Sequence, residues 1–430
     1  MGATILRRRL SALGVGVVAL AAALVGCAPV EAVEIDVPAQ VEGGFPAETQ
    51  AQLDAALAEA MAATGASGAI VGVWAPWSGS WVAGVGTQSP GGGAAVDADM
   101  EFRAARVTRA MTCDVLYALV ARDVVSLGDP VSRYVGGASG LEDVTLGQLC
   151  DSSSGIGASA PSLWNEWIRT PDRIWPPLEL AAYGMGRERT TEPGDAFVDS
   201  DAGYLLLGVA LENATATSLP ELFEKYVTKP LALDSTWLPD SEPATPSGSR
   251  GDTSLQGNHS LPGEDGQLLC ADPIDITELS ASMGFADTGA VSTITDLGRY
   301  AQALATGALL GEGQTRFDSP RAAYPNAPTW YTYDGGAYTA GGLVGQHGTM
   351  PGYLTAAYAD PDSGLTVAVV LNNSAAPSGL AANLAWELAA IASKAPAAAG
   401  QTAPAAGLPW TAEQQAETIR SAAVCPLPAQ

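Results

Sequence analysis

Apolar residues recur along this chain with spacings that predict two kinds of secondary structure. Between positions 48 and 64 they lie four apart, at Leu53, Leu57 and Met61, which predicts a helix with one buried face. Between positions 68 and 86, two short apolar runs flank a Pro-Trp-Ser-Gly turn, which predicts a β-hairpin. A helix followed by two paired strands is therefore expected after the N-terminal region.

Two later segments are equally readable. Residues 101–113 predict a short approach segment that runs into a helix, and residues 365–373 predict a strand. An Ala- and Leu-rich helix is expected after that strand, ending near Ser393. The chain has 430 residues, of which 47% are hydrophobic, so it can bury a large core in one big domain or two smaller ones.

The N-terminus has the pattern of a targeting segment. Three arginines at positions 7–9 precede an apolar run over 10–23, which is short for a membrane span, and the sequence Leu-Val-Gly-Cys ends at Cys27. This pattern predicts a secretory signal, and its last four residues resemble a bacterial lipobox. The resemblance implies cleavage before Cys27 and anchoring to the lipid bilayer through acyl chains on that residue. An ordinary signal peptide with an incidental cysteine is the alternative.

Charge and composition exclude some classes of function. The formal net charge is -26, and because no basic stripe offsets it, we expect no nucleic-acid partner. With two histidines and no Cys-x-x-Cys pattern, the chain offers no convincing metal site, and no cofactor is expected.

The segment 102–109 carries the main indication of function. It reads Phe-Arg-Ala-Ala-Arg-Val-Thr-Arg. It resembles the nucleophile helix of the serine β-lactamase, penicillin-binding DD-peptidase and esterase family, the class C β-lactamase-related serine hydrolases, which read Phe-Arg-x-Ala-Ser-x-Thr-Lys. In this alignment Arg106 stands at the position of the serine and Arg109 at the position of the lysine.

Further segments agree with the same family in the same order, so the resemblance covers roughly Leu53 to Ile391. The agreeing segments are 121–134, 144–156, 203–208, 229–236 and 286–297. The departures fall on the catalytic positions. An arginine supplies no nucleophilic oxygen, and its guanidinium stays protonated, so it cannot act as the base.

The other two catalytic motifs of the family are also replaced. Its Tyr-x-Asn motif corresponds to Asp199 and Asp201 here, and its Lys/His-Thr/Ser-Gly motif corresponds to Gln346, His347 and Gly348. Only the glycine is retained.

Two arginines and two aspartates have thus replaced catalytic groups that face each other in the family. If the fold holds, Arg106 or Arg109 is expected to meet Asp199 or Asp201 in charge-assisted hydrogen bonds that fill the old cleft. The functional alternative is that both arginines and the helix N-terminus bind an anion such as a peptide carboxylate.

Two rearranged active sites are weaker alternatives. Ser200 could act as a nucleophile with His347 and Asp201 in a Ser-His-Asp arrangement, although Ser200 occupies a spacer position. Asp199 and Asp201 could act as a glycosidase pair, but beside arginines both are expected to have low pKa values and to be poor acids.

Four cysteines remain after Cys27, and export makes two disulfides plausible. The resemblance implies a bond between Cys113 and Cys150, because the family packs the nucleophile helix near the segment that holds Cys150. Cys270 is then left for Cys425.

The resemblance implies an α+β fold, with a five-stranded antiparallel sheet flanked by helices and a helical lobe at about 107–224. The expected organisation is a signal peptide over 1–26, a tether over 27–46, the β-lactamase-related domain over 47–394 and an Ala/Pro linker with a C-terminal tail over 395–430.

The favoured function is a catalytically inactive, lipid-anchored protein of the cell envelope that binds a ligand or partner. A peptidoglycan peptide, a small carboxylate or another envelope protein would be that partner. The alternative is an active serine hydrolase with a rearranged site, acting as a D-alanyl-D-alanine carboxypeptidase, a β-lactamase or an esterase. A purely structural role, with a filled cleft, is the third possibility.

Overall fold

A computed structural model describes residues 32–137, 139–240, 254–405 and 407–427 of the chain. The expected signal peptide and the lipidation site Cys27 lie outside the described residues. In the part that is described, no helix is both long and apolar enough to cross a membrane.

The centre of the fold is a mixed-length sheet in which every neighbouring pair runs antiparallel. Its strands are β1 (Gly68–Ala75), β2 (Gly79–Gly86), β7 (Arg321–Ala322), β8 (Tyr331–Asp334), β9 (Ala337–Ala340), β10 (Leu343–Met350), β11 (Tyr353–Ala359) and β12 (Thr366–Leu371). Their order across the sheet is β2-β1-β12-β11-β10-β9-β8-β7. Two small pairs complete the described strands: β3 (Phe102–Arg103) with β6 (Val291–Ser292), and β4 (Asn258–His259) with β5 (Ile274–Asp275).

The prediction of five strands was correct for the core of the sheet and wrong for its extent. Strands β2, β1, β12, β11 and β10 form the expected five, but β9, β8 and β7 extend the sheet beyond β10. The extension arises because Gly335 and Gly336 both have positive φ, at 53° and 84°, which is the backbone of a two-residue hairpin turn. This turn folds β8 onto β9, and β9 pairs with only the first three residues of β10, from Leu343 to Gly345.

Helices cover both faces of the sheet and build a lobe beside it. They are α1 (Ala47–Thr64), α2 (Val107–Val120), α3 (Leu146–Cys150), α4 (Ala160–Arg169), α5 (Pro177–Met185), α6 (Asp201–Thr215), α7 (Leu219–Phe223), α8 (Phe285–Thr288), α9 (Ile294–Thr306), α10 (Gly379–Ala392) and α11 (Ala412–Ser421). Short 3-10 turns occupy Val131–Arg133 and Ala281–Met283, and a π-helical turn occupies Glu224–Thr228.

The buried side chains form two clusters, one on each side of the sheet. One cluster joins α1 and α10 to one face, and the other joins α2, α6 and α9 to the opposite face and the lobe. Because strands β11 and β12 are covered on both faces, every one of their residues is buried. The helical lobe expected at 107–224 corresponds to helices α2 to α7.

Both expected disulfides are present. Cys113 is bonded to Cys150 and joins α2 to the end of α3, and Cys270 is bonded to Cys425 beyond α11. The first bond fixes the helix that carries Arg106 and Arg109 against the lobe. The second ties the C-terminal segment to the domain.

Candidate functional site

Backbone geometry places Arg106 at the start of α2. Strand β3 pairs with β6, and the next residue, Ala104, donates its N–H to Ala290 O at 2.8 Å. Ala105 then adopts φ 48°, a left-handed conformation that costs a residue with a Cβ atom on the order of 1 kcal/mol or more. This turn delivers Arg106 to the position that precedes the first helical residue.

Arg109 lies one turn further along α2 and is held from two sides. Its Nε donates to Asp287 Oδ1 at 2.6 Å, and its Nη1 donates to Asp199 Oδ1 at 2.7 Å. The guanidinium carbon also lies 4.8 Å from the ring centroid of Tyr204, within range of a cation–π interaction. The side chain of Arg109 is 1% exposed, so these contacts take the place of water at Nε and Nη1.

Arg106 occupies the space beside Gly348, in the segment that corresponds to the Lys/His-Thr/Ser-Gly motif. Its Nη1 donates to Asp199 Oδ2 at 2.6 Å, so the two oxygens of Asp199 bridge the two arginines. A Cβ atom added at Gly348 would overlap the Cβ, Cγ and Cδ atoms of Arg106. The arginine stem therefore lies directly on the backbone of β10, in a space that only a glycine leaves open.

The cluster of Arg106, Arg109, Asp199 and Asp287 carries two positive and two negative charges. Burial acts to raise the pKa of Asp199, but the charges of both arginines and their hydrogen bonds outweigh burial and hold that pKa well below its usual range. Asp199 is therefore ionised at neutral pH.

The expected arginine–aspartate pairing is thus present through Asp199, and Asp201 has other partners. The two backbone N–H groups at the start of α4, those of Ser159 and Ala160, donate to the carboxylate of Asp201 at 2.7 and 2.8 Å. Sequence reasoning missed Asp287, which pairs with Arg109 instead. Its segment was recognised by resemblance, but nothing in the local pattern indicated that its side chain points at α2.

The expectation of a low pKa is wrong for Asp201. Burial and the nearby charge of Asp287 raise the pKa of Asp201 to about 6, against the lowering effects of the Ser159 N–H and the arginines. Asp199 and Asp201 nevertheless have separate structural roles. Asp199 is tied to two guanidinium groups and Asp201 to a helix N-terminus.

Ser200 and His347 are engaged with different partners. Ser200 caps α6, since its Oγ accepts from Gly203 N at 3.1 Å and donates to Gly157 O at 3.0 Å. His347 Nδ1 lies 2.8 Å from the hydroxyl of Tyr358. Burial, and then the charge of Arg106, lowers the pKa of His347 to about 3, so the imidazole is neutral.

Gln346 belongs to a network of tyrosines behind the arginines. Its Nε2 donates to Gly336 O at 3.0 Å and to the hydroxyl of Tyr333 at 3.2 Å. The Tyr333 hydroxyl lies 2.6 Å from that of Tyr204, which donates to Cys150 O at 2.6 Å. Buried hydrogen bonds thereby link strand β10, the β8–β9 turn and the Cys150 segment.

A second buried ion pair fixes the other side of α2. Arg316 pairs with Asp114, and it also donates to Ala110 O at 2.9 Å and to Gly335 O at 2.7 Å. Arg316 therefore joins the β8–β9 turn to α2. Nothing in the sequence indicated this pair, because its members lie 202 residues apart.

The chemistry open to this arrangement is limited. Arg106 and Arg109 present hydrogen-bond donors and positive charge, but neither can attack a carbonyl or accept a proton. Among the described residues, no group of three or more His, Cys, Asp or Glu side chains is placed to hold a metal ion.

The family model named Beta-lactamase matches residues 53–391 of the chain. The chain belongs to the β-lactamase family. The match spans every strand of the central sheet and includes Arg106, Arg109, Asp199 and Asp287.

Comparison with individual proteins agrees with this family. A D-alanyl-D-alanine-carboxypeptidase/endopeptidase, AmpH of Escherichia coli K12, is 27% identical over 164 residues, which are 36% of this chain and 42% of that relative. The matched segment thus spans less than half of the relative's length.

Solved structures show the same fold. A D-stereospecific amidohydrolase from Streptomyces sp. aligns with a TM-score of 0.65 and 23% identity, over 79% of this chain and 98% of that one. The D-amino acid amidase of Ochrobactrum anthropi SV3 in complex with D-phenylalanine aligns with a TM-score of 0.65 and 19% identity, over 80% of this chain and 99% of that one. A penicillin-binding protein homologue from Pyrococcus abyssi, described as octameric, aligns with a TM-score of 0.62 and 21% identity, over 78% of this chain and 75% of that one.

The contact between Gly348 and Arg106 gives a first prediction. Gly348→Ala should lower the free energy of unfolding by about 1–3 kcal/mol, because the added methyl group displaces the Arg106 stem from a packed site. Chemical denaturation measures this change. Gly128→Ala is the matched control, since a Cβ atom there would meet only Ser126 Oγ at 3.9 Å. Equal effects of the two substitutions would contradict the packing described here.

Proposed function

We propose that this β-lactamase family member is catalytically inactive and acts in the cell envelope as a ligand- or partner-binding module. The observation that carries the proposal is the position of Arg106. It stands where the family has its nucleophile, its stem covers Gly348, and its guanidinium is bonded to Asp199.

The size of the expected catalytic loss supports this proposal. In a well-studied serine protease, removal of the nucleophile alone costs a factor on the order of 10⁶ in turnover. Here the positions of the nucleophile, its base and the second-motif tyrosine are all replaced, by Arg106, Arg109 and Asp199. Ser200 and His347, the remaining candidates, are committed to structural hydrogen bonds.

The accessible part of the cluster is where a ligand would bind. Arg109 is buried, but the side chains of Arg106 and Asp199 are 19% and 40% exposed. A small carboxylate could compete with Asp199 for the guanidinium of Arg106. Because the cluster is already neutral, such binding requires exchange of one carboxylate for another and should be weak.

An active hydrolase is the second candidate, and covalent labelling distinguishes it from a binding module. The intact protein is incubated with a fluorescent penicillin or a fluorophosphonate, and its mass is measured by mass spectrometry. Hydrolysis of a chromogenic cephalosporin and of a D-amino acid amide is assayed in parallel. We expect no adduct and no turnover, because Arg106 stands at the position of the nucleophile and Ser200 caps α6 instead of contacting a base. In the same preparation, calorimetry with acetate and N-acetyl-D-alanyl-D-alanine should detect weak binding that Arg106→Ala abolishes.

A stoichiometric adduct on any serine would contradict the inactive assignment. A variant Ser200→Ala would then show whether the adduct requires that residue. Absence of an adduct together with unchanged carboxylate binding in Arg106→Ala would leave catalytic inactivity standing and refute the anion-binding role of the cluster.

We also propose that the mature protein is anchored in the cell membrane through lipidated Cys27. The support is the Leu-Val-Gly-Cys sequence that follows the apolar run. Cys27→Ser should move the protein from the detergent phase to the aqueous phase on Triton X-114 partitioning of cell extracts. The wild-type protein should incorporate labelled palmitate. An unlabelled wild-type protein that partitions to the aqueous phase would show that Cys27 is not acylated.

A further inference from the structure

A polar cavity of about 400 Å³ lies beside α2. It is bounded by Tyr117 of α2, by residues 145–151 around α3, by residues 315–319, which precede β7, and by Asp334 at the end of β8. Tyr117 follows Arg109 by eight residues, which is roughly 12 Å along a helix axis. Sites for small molecules have volumes of roughly 300–1,000 Å³. The cavity is therefore large enough for a small ligand and is separate from the cluster around Arg109.

The hydroxyl of Tyr117 faces this cavity without a hydrogen-bond partner. Tyr117 is 6% exposed, and no residue that the structure describes makes a hydrogen bond with its hydroxyl. The hydroxyl oxygen is nevertheless accessible, so it is not sealed in the core. The charges that most affect its pKa belong to Arg316, Asp334 and Asp151, which also line the cavity. Since most buried polar groups are hydrogen-bonded, an accessible hydroxyl of this kind is a group that a ligand can use.

Two of the charged groups that line the cavity are neutralised within the protein. Arg316 is paired with Asp114, which lies on α2. Asp151, which follows α3, is paired with Arg321 of β7 at 3.0 Å. Because each of these charges has a partner of opposite sign, neither Arg316 nor Asp151 requires a charged ligand.

Two further carboxylates at the cavity have no cation beside them. Asp334 is 7% exposed, and its Oδ2 accepts a hydrogen bond from Ser319 N at 2.7 Å. Asp318 is exposed and accepts a hydrogen bond from the hydroxyl of Thr315. In the parts of the chain that the structure describes, no Lys, Arg or His side chain forms an ion pair with either carboxylate. Because Asp318 directly precedes Ser319, the hydrogen bond to Asp334 brings the two negative charges to the same part of the cavity.

We propose that this cavity binds a small organic cation through a primary ammonium group. The three N–H donors of the ammonium group match three acceptors, the carboxylates of Asp318 and Asp334 and the hydroxyl oxygen of Tyr117. An anion would instead meet two uncompensated negative charges. A metal ion fits less well, since the described residues include no group of three His, Cys, Asp or Glu side chains placed to hold one.

Ligand-observed NMR on the intact protein tests this site. The probe is n-butylammonium chloride, titrated at neutral pH, and its saturation-transfer signals give a dissociation constant. We expect saturable binding to the wild-type protein. Tetramethylammonium chloride carries the same charge but no N–H donor, so it should bind about tenfold more weakly or not at all.

Three variants locate the bound ammonium group. Asp334→Asn keeps an oxygen for Ser319 N but removes the charge, and it should weaken butylammonium binding about tenfold. Tyr117→Phe should weaken binding about threefold, while the free energy of unfolding stays equal or rises, because the lost hydroxyl makes no hydrogen bond to a described residue. Glu48→Gln, an exposed position on α1, should bind the probe as the wild-type protein does.

A further variant avoids a substitution in a buried position. Asp318→Asn changes an exposed side chain, and it should also weaken butylammonium binding severalfold. Absence of saturable binding to the wild-type protein would overturn the proposal. Equal affinity for tetramethylammonium would do the same, as would an affinity that neither aspartate substitution changes. A loss of stability in Tyr117→Phe would show that the hydroxyl serves the fold and would contradict its assignment to a ligand.

Discussion

The buried guanidinium of Arg109 is the group on which the candidate site depends. It is placed on α2 by the fold, and it is neutralised by one carboxylate from the lobe, Asp199, and one from α8, Asp287. A charge taken out of water must be paired and hydrogen-bonded, or the cost amounts to several kcal/mol. The arginine therefore requires both aspartates, and Asp199 in turn orders Arg106 against β10.

Other contacts in the domain hold this cluster in position. The disulfide at Cys113, the ion pair between Arg316 and Asp114, and the tyrosine network around Tyr204 all converge on α2 or on the segments that face it. These contacts hold the walls of the cleft together, and they do not depend on a reaction in the cleft. The β-lactamase-type scaffold is thus retained around a cluster that, in our proposal, has replaced the groups that perform acyl transfer.

Much of this could be predicted from the sequence, because the first helix, the hairpin, the C-terminal strand and helix, and the order of the family motifs are local signals. The five core strands followed from the family resemblance. The three added strands did not, since they depend on a glycine turn at Gly335 and Gly336 whose role emerges only when β8 pairs with β9.

The candidate site was predictable to the same degree. Asp199 was identified as a partner of the arginines because it occupies a motif position. Asp287 and Arg316 were missed because their partners lie far away in sequence. The partners of Asp201 were not predictable, since the N–H groups that it binds belong to the start of α4, which motif alignment does not reveal.

The most direct test of the central claim is a double-mutant cycle on Arg109 and Asp287, read as free energies of unfolding. Arg109→Met should destabilise the protein by about 3–5 kcal/mol, because it leaves the buried carboxylate of Asp287 without its cation. Asp287→Leu should cost about 1–3 kcal/mol, because Arg109 loses one of its two carboxylate partners and keeps Asp199. The loss of stability in the double variant should be smaller than the sum of the two single losses by about 2–3 kcal/mol. Additive effects, within about 0.5 kcal/mol, would show that the buried pair does not hold the site together.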